Sequence, residues 1–293
     1  MKAFRLLAIP TISLALAIST IASAQTYVSV DYPGAVATYL NGGPNLQGDS
    51  VGSWQDATGT WHGFLLTNRS KFISFDPPGS ISTYPSWITL QGYITGAYYD
   101  GNFILHGFIL KNGKYTTVDY PGAAGTSLGG MNALGESVGN YCVDTDCTVT
   151  HSFKRSWKGE FTAFDPPNAS ESSALTINDF GDIVGGYWTA YPEANAAEHG
   201  YLLSRGKFTT IDFPAQGAYG SFCGANNFQG DIVGSYYDSN DLAHSFLLKN
   251  RRFKSFDYPG ALYTFAGGIS PTGVIVGAYY DSAFNEHGFI RKP

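Results

Sequence analysis

One pattern recurs six times along the chain and constrains its fold more than any other feature. An aromatic residue, two variable residues, an apolar residue and Asp-x-Pro form the first motif, as in YTTVDYPG and FKSFDYPG. Its aspartates recur every 43–47 residues and are Asp31, Asp76, Asp119, Asp165, Asp212 and Asp257. A second motif, His-Gly/Ser-Phe/Tyr, contains all six histidines: His62, His106, His151, His199, His244 and His287. A repeat of this length with about four short strands per unit predicts a β-propeller, here with six blades.

The order of strands within a unit predicts how the ring closes. Each unit has an inner strand A, a Gly-centred strand B, a strand C that opens with His, and an outer strand D that ends at Asp. The chain begins with a D-type strand at Tyr27–Asp31 and ends with a C-type strand at His287–Arg291. We therefore expect the N-terminal strand to pair with the last C strand, because this completes the sixth blade and removes an exposed edge. The prediction is an all-β, single-domain, six-bladed propeller of four-stranded blades over residues 25–293.

The N-terminal segment, residues 1–24, has the pattern of a secretory signal peptide. Lys2 and Arg5 precede an apolar run from Leu6 to about Ile21, and Ala22-Ser23-Ala24 is a small-residue cleavage signal. A retained membrane anchor is the alternative. No later segment has the ~20 apolar residues that a spanning helix needs. We therefore predict a secreted or periplasmic protein without a transmembrane segment after cleavage.

The repeats resemble the predicted extracellular HAF-repeat family, named for a His-Ala-Phe motif. In this chain Gly or Ser stands where that family has Ala, as in HGF at His106 and HSF at His244. The resemblance extends over essentially all of residues 25–293. It implies export and a repetitive architecture, and it implies no catalytic residues.

Residues that recur in every unit are interpreted as structural. One active site needs one base, so six equivalent histidines indicate an architectural role, each bonded to a neighbouring turn or to an Asp-x-Pro aspartate. The aspartates of the B-to-C loops are expected to cap those loops, and the glycines of the B strands to let blades approach closely. Cys142 and Cys147 could form a local disulfide, which leaves Cys223 as a buried apolar residue.

The charges predict a two-sided disc. Adjacent strands are antiparallel, so the D-to-A and B-to-C connections share one face, the first face, and the A-to-B and C-to-D turns share the second face. Every Lys and Arg after residue 24 lies in or beside a C-to-D turn or at the matching chain end, whereas most Asp and Glu belong to the first face. The basic face suits an anionic surface polymer, although turn chemistry alone also explains the pattern. The net charge of −6 and the export signal argue against nucleic acid, and a monomer is expected.

Ligand-binding residues are predicted where the repeat is broken. Unit four replaces its loop Asp by the insertion WTAYPEANAAEHG, which contains Trp188, Tyr191 and Glu193. Exposed aromatic residues are also expected near the other B-to-C loops, at Tyr99, Tyr237 and Tyr280. Aromatic rings with nearby carboxylates suit sugars. The sequence has neither a His-Glu-x-x-His motif nor a phosphate loop, and we predict no catalytic or metal-binding residues.

These observations favour a non-catalytic protein that binds carbohydrate or a cell-surface polymer and has no cofactor. One alternative is a polysaccharide hydrolase or lyase with acidic residues near the central channel, for which the non-repeated carboxylates are Glu171, Glu193 and Glu198. A purely structural interaction module is the other alternative.

Overall fold

The computed structural model describes residues 25–68, 70–190 and 197–293. The predicted signal peptide and residues 191–196, with the candidate binding residues Tyr191 and Glu193, lie outside the described residues. The described residues form strands β1–β24. In chain order they are β1 Thr26–Val30, β2 Ala37–Gly42, β3 Ser50–Gln55, β4 Trp61–Leu66, β5 Phe72–Phe75, β6 Ser80–Ile88, β7 Ile94–Asp100, β8 Leu105–Lys111, β9 Lys114–Val118, β10 Gly125–Met131, β11 Ser137–Cys142, β12 Thr150–Arg155, β13 Phe161–Phe164, β14 Glu171–Ile177, β15 Ile183–Thr189, β16 Ala197–Ser204, β17 Lys207–Ile211, β18 Tyr219–Asn226, β19 Ile232–Tyr237, β20 Ala243–Lys249, β21 Arg252–Phe256, β22 Tyr263–Ile269, β23 Ile275–Tyr280 and β24 Glu286–Lys292.

The strands form six antiparallel four-stranded sheets, which confirms the six-bladed propeller. Blades 1 to 5 are β2–β5, β6–β9, β10–β13, β14–β17 and β18–β21, each in sequence order. Blade 6 has the order β22-β23-β24-β1. The inner strands of neighbouring blades contact each other around the whole ring. Within the part of the chain that is described, no helix is long and apolar enough to cross a membrane.

The N-terminal strand closes the ring as predicted. β1 pairs antiparallel with β24, with Thr26 opposite Lys292 and Val30 opposite Gly288. Val30 is buried and packs against Leu40 and Phe64 of blade 1. The closing strand therefore completes a sheet and also fills the interface between the last and first blades.

The aromatic residue that ends each His motif forms the centre of its blade. These side chains are at most 1% exposed. They are Phe64, Phe108, Phe153, Tyr201, Phe246 and Phe289. Burial of one such side chain contributes about 2–3 kcal/mol through the hydrophobic effect. The requirement for an aromatic residue two positions after His is thus a packing requirement.

The glycines of the B strands serve a different purpose from the predicted one. A Cβ on Gly234 would collide with the carbonyl oxygen of Phe222 and the ring of Phe246, both in the same blade. These glycines therefore let the A and B strands of one blade come together. Close approach between blades instead occurs at the inner strands, where a Cβ on Gly224 would collide with the carbonyl oxygen of Ala266 in the next blade.

Candidate functional site

Each histidine is bonded to the aspartate that ends the outer strand of its blade. Because β1 completes blade 6, His287 pairs with Asp31 near the other end of the chain. The distances from Nδ1 to the nearest carboxylate oxygen are 2.8 Å for His62–Asp76, 3.0 Å for His106–Asp119, 3.1 Å for His151–Asp165, 2.9 Å for His199–Asp212, 2.9 Å for His244–Asp257 and 2.7 Å for His287–Asp31. The predicted bonds between histidine and Asp-x-Pro aspartate are therefore present in every blade.

A second carboxylate faces most of these histidines from the B-to-C loop. The Nε2 atom of His244 lies 3.5 Å from Asp238, and equivalent pairs occur in blades 1, 2 and 6. The other oxygen of Asp238 accepts the backbone N–H groups of Asn240 and Leu242 at 2.8 and 3.0 Å. Loop caps of this kind occur at Asp56, Asp100, Asp144, Asp238 and Asp281. The loop aspartates thus hold the hairpins, as predicted.

The repeated histidines also contact the aromatic residues that face them across the B and C strands, in a stacked arrangement in blades 1, 2 and 6 and a tilted one in blades 3, 4 and 5. The His244 ring lies 5.3 Å from that of Tyr236, whose hydroxyl group bonds Ser255 on the outer strand. In blade 1 the burial of His62 lowers its pKa, but the bonds and charges of Asp76 and Asp56 outweigh burial, and the net pKa is raised. In blades 1, 2, 5 and 6 both ring nitrogens face a carboxylate and the ring contacts an aromatic side chain, so these four histidines are poor candidates for ligand binding.

The next residue along each B strand points to the opposite side of the blade, because side chains alternate along a strand. This position holds four of the predicted binding residues: Tyr99, Trp188, Tyr237 and Tyr280. All four are half-buried, so the prediction that these rings are exposed is wrong. Each one packs into the sheet with part of its ring and leaves the rest accessible.

The residue directly before each histidine faces this B-strand position, which is aromatic in blades 2, 4, 5 and 6 and holds Gln55 in blade 1 and Cys142 in blade 3. In blade order these residues are Trp61, Leu105, Thr150, Glu198, Ala243 and Glu286. Burial and then the neighbouring Glu171 raise the pKa of Glu198 to about 7. Burial also raises the pKa of Glu286. The position before the histidine therefore varies between blades, and in blades 4 and 6 it holds a half-buried carboxyl group.

Blade 4 brings two glutamates to either side of one tryptophan. Glu171 on β14 is directly opposite Trp188 on β15, and Trp188 is directly opposite Glu198 on β16. The three residues line a cavity of about 90 Å³. Thr150 of blade 3 donates a hydrogen bond of 3.2 Å to Glu171, and burial raises the pKa of Glu171. The cavity shares Leu175 and Phe222 with a channel cavity of about 210 Å³, so it opens beside the propeller axis.

The polar groups continue from blade 4 into blades 5, 6 and 1. Burial and then Glu198 raise the pKa of Tyr237. Burial and then Glu286 raise the pKa of Tyr280 to about 12. Burial and then the same carboxylate also raise the pKa of Tyr39, which lies on the inner strand of blade 1. We name this set the acidic aromatic arc; it consists of Glu171, Trp188, Glu198, Tyr237, Tyr280, Glu286 and Tyr39. Tyr99 lies outside it, next to Tyr84 at a ring distance of 6.3 Å.

Two members of the arc, Glu286 and Tyr39, were missed by the sequence analysis. Glu286 sits one residue before an invariant His, at a position whose residue type changes from unit to unit, and this variability was the available signal. Of the predicted residues, Trp188, Tyr237 and Tyr280 lie in the arc together with Glu171 and Glu198.

The remaining cysteine and metal predictions can be compared directly with the structure. Cys142 and Cys147 form a disulfide. Cys223 is buried between blades 4 and 5, and burial raises the pKa of its thiol. Among the described residues, no group of three or more His, Cys, Asp and Glu side chains is arranged to hold a metal ion.

The opposite end of the axis has a different character. A cavity of about 370 Å³ opens on the second face, where the A-to-B turns of all blades converge. Its walls include Leu46, Leu90, Ile177 and Phe228. This apolar surface could not be predicted from the sequence, because single apolar residues in separate turns form no pattern along the chain.

Comparison with known proteins supports the fold. No protein-family model and no curated protein sequence matches the chain. Among solved structures, a mutant of the Aleuria aurantia lectin in complex with α-methyl-L-fucoside matches with a TM-score of 0.54 and 13% identity, covering 88% of this chain and 93% of that one. A fungal lectin structure, described as a six-bladed β-propeller with a novel fucose recognition mode for the Aleuria aurantia lectin, has a TM-score of 0.53 and 12% identity, covering 91% and 90%.

A catalytically inactive mutant of virginiamycin B lyase from Staphylococcus aureus, in complex with quinupristin, has a TM-score of 0.49 and 10% identity, covering 92% of this chain and 100% of that one. The TM-scores of the two lectin structures show a shared fold, and their identities of 12–13% show nothing more specific.

Proposed function

We propose that this protein binds carbohydrate without turning it over, and that the ligand lies against the acidic aromatic arc. One observation supports this most strongly: half-buried carboxyl groups and aromatic rings converge around a cavity beside the axis. Aromatic faces pack against the apolar faces of sugar rings, and carboxylates accept hydrogen bonds from sugar hydroxyl groups. The same fold occurs in a lectin whose structure is in complex with a fucoside, and this is consistent with the proposal, although fold alone does not determine function.

We also propose that the protein acts outside the cytoplasm, in the periplasm or beyond the cell. The leader pattern of residues 1–24 and the Cys142–Cys147 disulfide support this, because disulfides persist mainly in oxidising compartments. Cell fractionation with N-terminal sequencing tests it. A mature chain that begins at Gln25 is expected, and a cytoplasmic protein that retains Met1 would contradict it.

A glycan array probed with the purified protein tests carbohydrate binding. For a glycan that binds, Trp188→Ala is expected to weaken affinity about tenfold or more, since one stacked ring contributes on the order of 1.4 kcal/mol. Trp157→Ala is the matched control, because Trp157 is 68% exposed on the second face. Equal losses in both variants, or no binding to any glycan, would contradict the proposal.

A second candidate function is glycoside hydrolysis, and the Glu171–Trp188–Glu198 arrangement supports it. Glycosidases pair a carboxylic acid with a carboxylate, and a pKa of about 7 for Glu198 would keep an acid available at neutral pH. The two glutamates lie on strands separated by one strand, so their Cα atoms are about 10 Å apart. A reducing-sugar assay on polysaccharides separates the functions. Turnover that is lost in both Glu198→Gln and Glu171→Gln would establish hydrolysis, whereas binding without turnover supports the first proposal.

A further inference from the structure

The second face combines exposed apolar side chains with exposed cations. The apolar residues in its A-to-B turns include Leu134 and Phe180, which are 66% and 75% exposed. We name these turn residues the apolar crown; they are Leu46, Leu90, Leu134, Phe180 and Phe228. Leu46, Leu90 and Phe228 line the central cavity. Monomeric proteins rarely gather several exposed apolar residues on one face unless that surface binds something.

Hydrogen bonds hold the crown in position. In blade 5 the Asn227 side chain accepts the backbone N–H groups of Gln229 and Asp231 at 3.1 and 3.0 Å. Its amide group donates a bond of 3.2 Å to the carbonyl oxygen of Ser270 in blade 6. The same arrangement occurs at Asn45, Asn132 and Asn178. These hydrogen bonds therefore connect A-to-B turns of neighbouring blades and fix the positions of the apolar residues that the turns expose.

The cavities of the second face are continuous with the crown. The central cavity shares Pro44, Asn45 and Leu46 with a neighbouring cavity of about 350 Å³ over the seam of blades 1 and 6. It shares Gln91, Met131 and Ala133 with a cavity of about 410 Å³ over the seam of blades 2 and 3. The apolar surface thus extends across the centre of the disc rather than forming a single pit.

Exposed cations surround this surface on the C-to-D turns and at the chain end. They are Lys71, Lys114, Lys158, Arg205, Lys207, Lys249, Arg251, Arg252 and Lys292. The acidic residues of this face are largely engaged: Glu136 bonds Lys154 at 2.7 Å and Asp231 bonds Lys249 at 2.9 Å. Asp179 accepts the backbone N–H of Ala133 at 2.8 Å. The nine exposed cations outnumber the six acidic residues of this face, which are Asp49, Glu136, Glu160, Asp179, Asp182 and Asp231, so its outward field is positive.

We propose that the second face docks on an anionic lipid bilayer, with the cations against the headgroups and the apolar crown inserted at the centre. Charge complementarity selects an anionic surface, and the crown selects lipid over a soluble polyanion, because a polyanion has no hydrocarbon to cover apolar side chains. Trp157 stands on this face with Lys158 Nζ 5.4 Å from its ring, a pairing suited to the membrane interface. The acidic first face would point away from the bilayer and leave the arc open to a ligand.

Co-sedimentation with vesicles tests the proposal. The purified protein is expected to sediment with phosphatidylcholine vesicles that contain phosphatidylglycerol, and not with pure phosphatidylcholine vesicles. Arg251→Glu combined with Arg252→Glu is expected to weaken binding about 25-fold or more, because each lost cation accounts for about fivefold. Added salt is expected to weaken wild-type binding in the same direction.

A matched pair of double variants separates insertion from charge. Leu134→Ser with Phe180→Ser is expected to weaken vesicle binding about tenfold or more. Phe103→Ser with Phe284→Ser is the control, because these residues are 77% and 65% exposed on the first face. We also expect a blue shift of tryptophan fluorescence on vesicle addition, and this shift should be smaller in Trp157→Phe, where Trp87 of the central cavity remains.

Three results would overturn the proposal. One is that the wild-type protein does not bind phosphatidylglycerol vesicles. Another is equal loss in the two double variants. The third is binding to dextran sulfate that competes fully with vesicles while Leu134→Ser with Phe180→Ser has no effect, which would assign the face to a soluble polyanion.

Discussion

The B-to-C hairpins of blades 4 and 5 have the same register but differ in what they place beside the histidine. In blade 5, YYDSNDLAHSFLL keeps the loop aspartate Asp238 and has the small residue Ala243 before His244. In blade 4 the loop aspartate is replaced by the insertion, and Glu198 precedes His199. His199 and His244 nevertheless bond their outer-strand aspartates at the same distance of 2.9 Å.

This difference shows how one strand can serve structure and binding together. Successive residues of a strand point to opposite sides. The histidines, Tyr236 and Tyr187 therefore lie on the side of the blade that forms the repeated framework of His–Asp bonds, and Glu198 and Trp188 lie on the side that forms the arc. The framework positions are the same in both blades, and the alternating positions are free to vary. Aspartate and histidine in YYDSNDLAHSFLL therefore hold a hairpin, and its counterpart in blade 4 contributes to the candidate site.

The largest effect is expected at a framework position that the two blades share. Phe246→Ala should lower the free energy of unfolding by about 3–5 kcal/mol, because it empties a fully buried aromatic site. Chemical denaturation measures this. Phe103→Ala, on an exposed loop, is the control and should stay within about 0.5 kcal/mol of wild type. A change of less than about 1 kcal/mol for Phe246→Ala would show that this motif position does not hold the blade.

The next largest effect is a pH dependence of stability that comes from Glu198 in blade 4. Burial raises the pKa of Glu198 to about 7, against 4.5 when unperturbed, so the folded state keeps a proton that the unfolded chain releases. This contribution to stability is fully present below about pH 4.5 and is lost as the pH rises through about 7. Its size is on the order of 3 kcal/mol.

Glu198→Gln removes the ionisable group and should therefore remove this dependence of the free energy of unfolding on pH. The stability of the variant relative to wild type should rise between pH 4.5 and pH 8. Denaturation curves across this pH range provide the measurement. Glu160→Gln, on an exposed turn of the second face, should leave the slope unchanged. An identical slope in wild type and Glu198→Gln would show that Glu198 is not held in a desolvated position.

A smaller effect concerns the histidines themselves. His244→Asn should lower the free energy of unfolding by about 1 kcal/mol, because it removes a partly exposed bond to Asp257 and the contact with Asp238. His199→Asn should cost less, since among the described residues Asp212 is the only carboxylate that pairs with His199. A larger loss at His199 than at His244, measured by denaturation at one pH, would contradict the role assigned to the loop aspartate.

The framework could be predicted from the sequence because each of its interactions is repeated. Six copies of Asp-x-Pro and of the His motif at constant spacing identified the blades, the closing strand and the His–Asp bonds. The arc was predicted only in part, because its members come from four blades and share no motif. Tyr39 and Glu286 belong to opposite ends of the chain and become neighbours only after β1 has closed the ring. The apolar crown was missed for the same reason.

The smallest expected effect tests the loop aspartate of blade 5. Asp238→Asn keeps an oxygen that can accept the N–H groups of Asn240 and Leu242, whereas Asp238→Ala loses both bonds. Bonds from Leu242 and Asn240 lower the pKa of Asp238. Its contribution to stability is therefore present above about pH 4 and is lost as the pH falls. We expect Asp238→Ala to lower the Tm slightly more than Asp238→Asn at pH 7, and the difference between wild type and Asp238→Asn to shrink in acid. If Asp238→Asn is as damaging as Asp238→Ala, the charge rather than the cap is what this hairpin requires, and the contrast with blade 4 rests on the ion pair with His244.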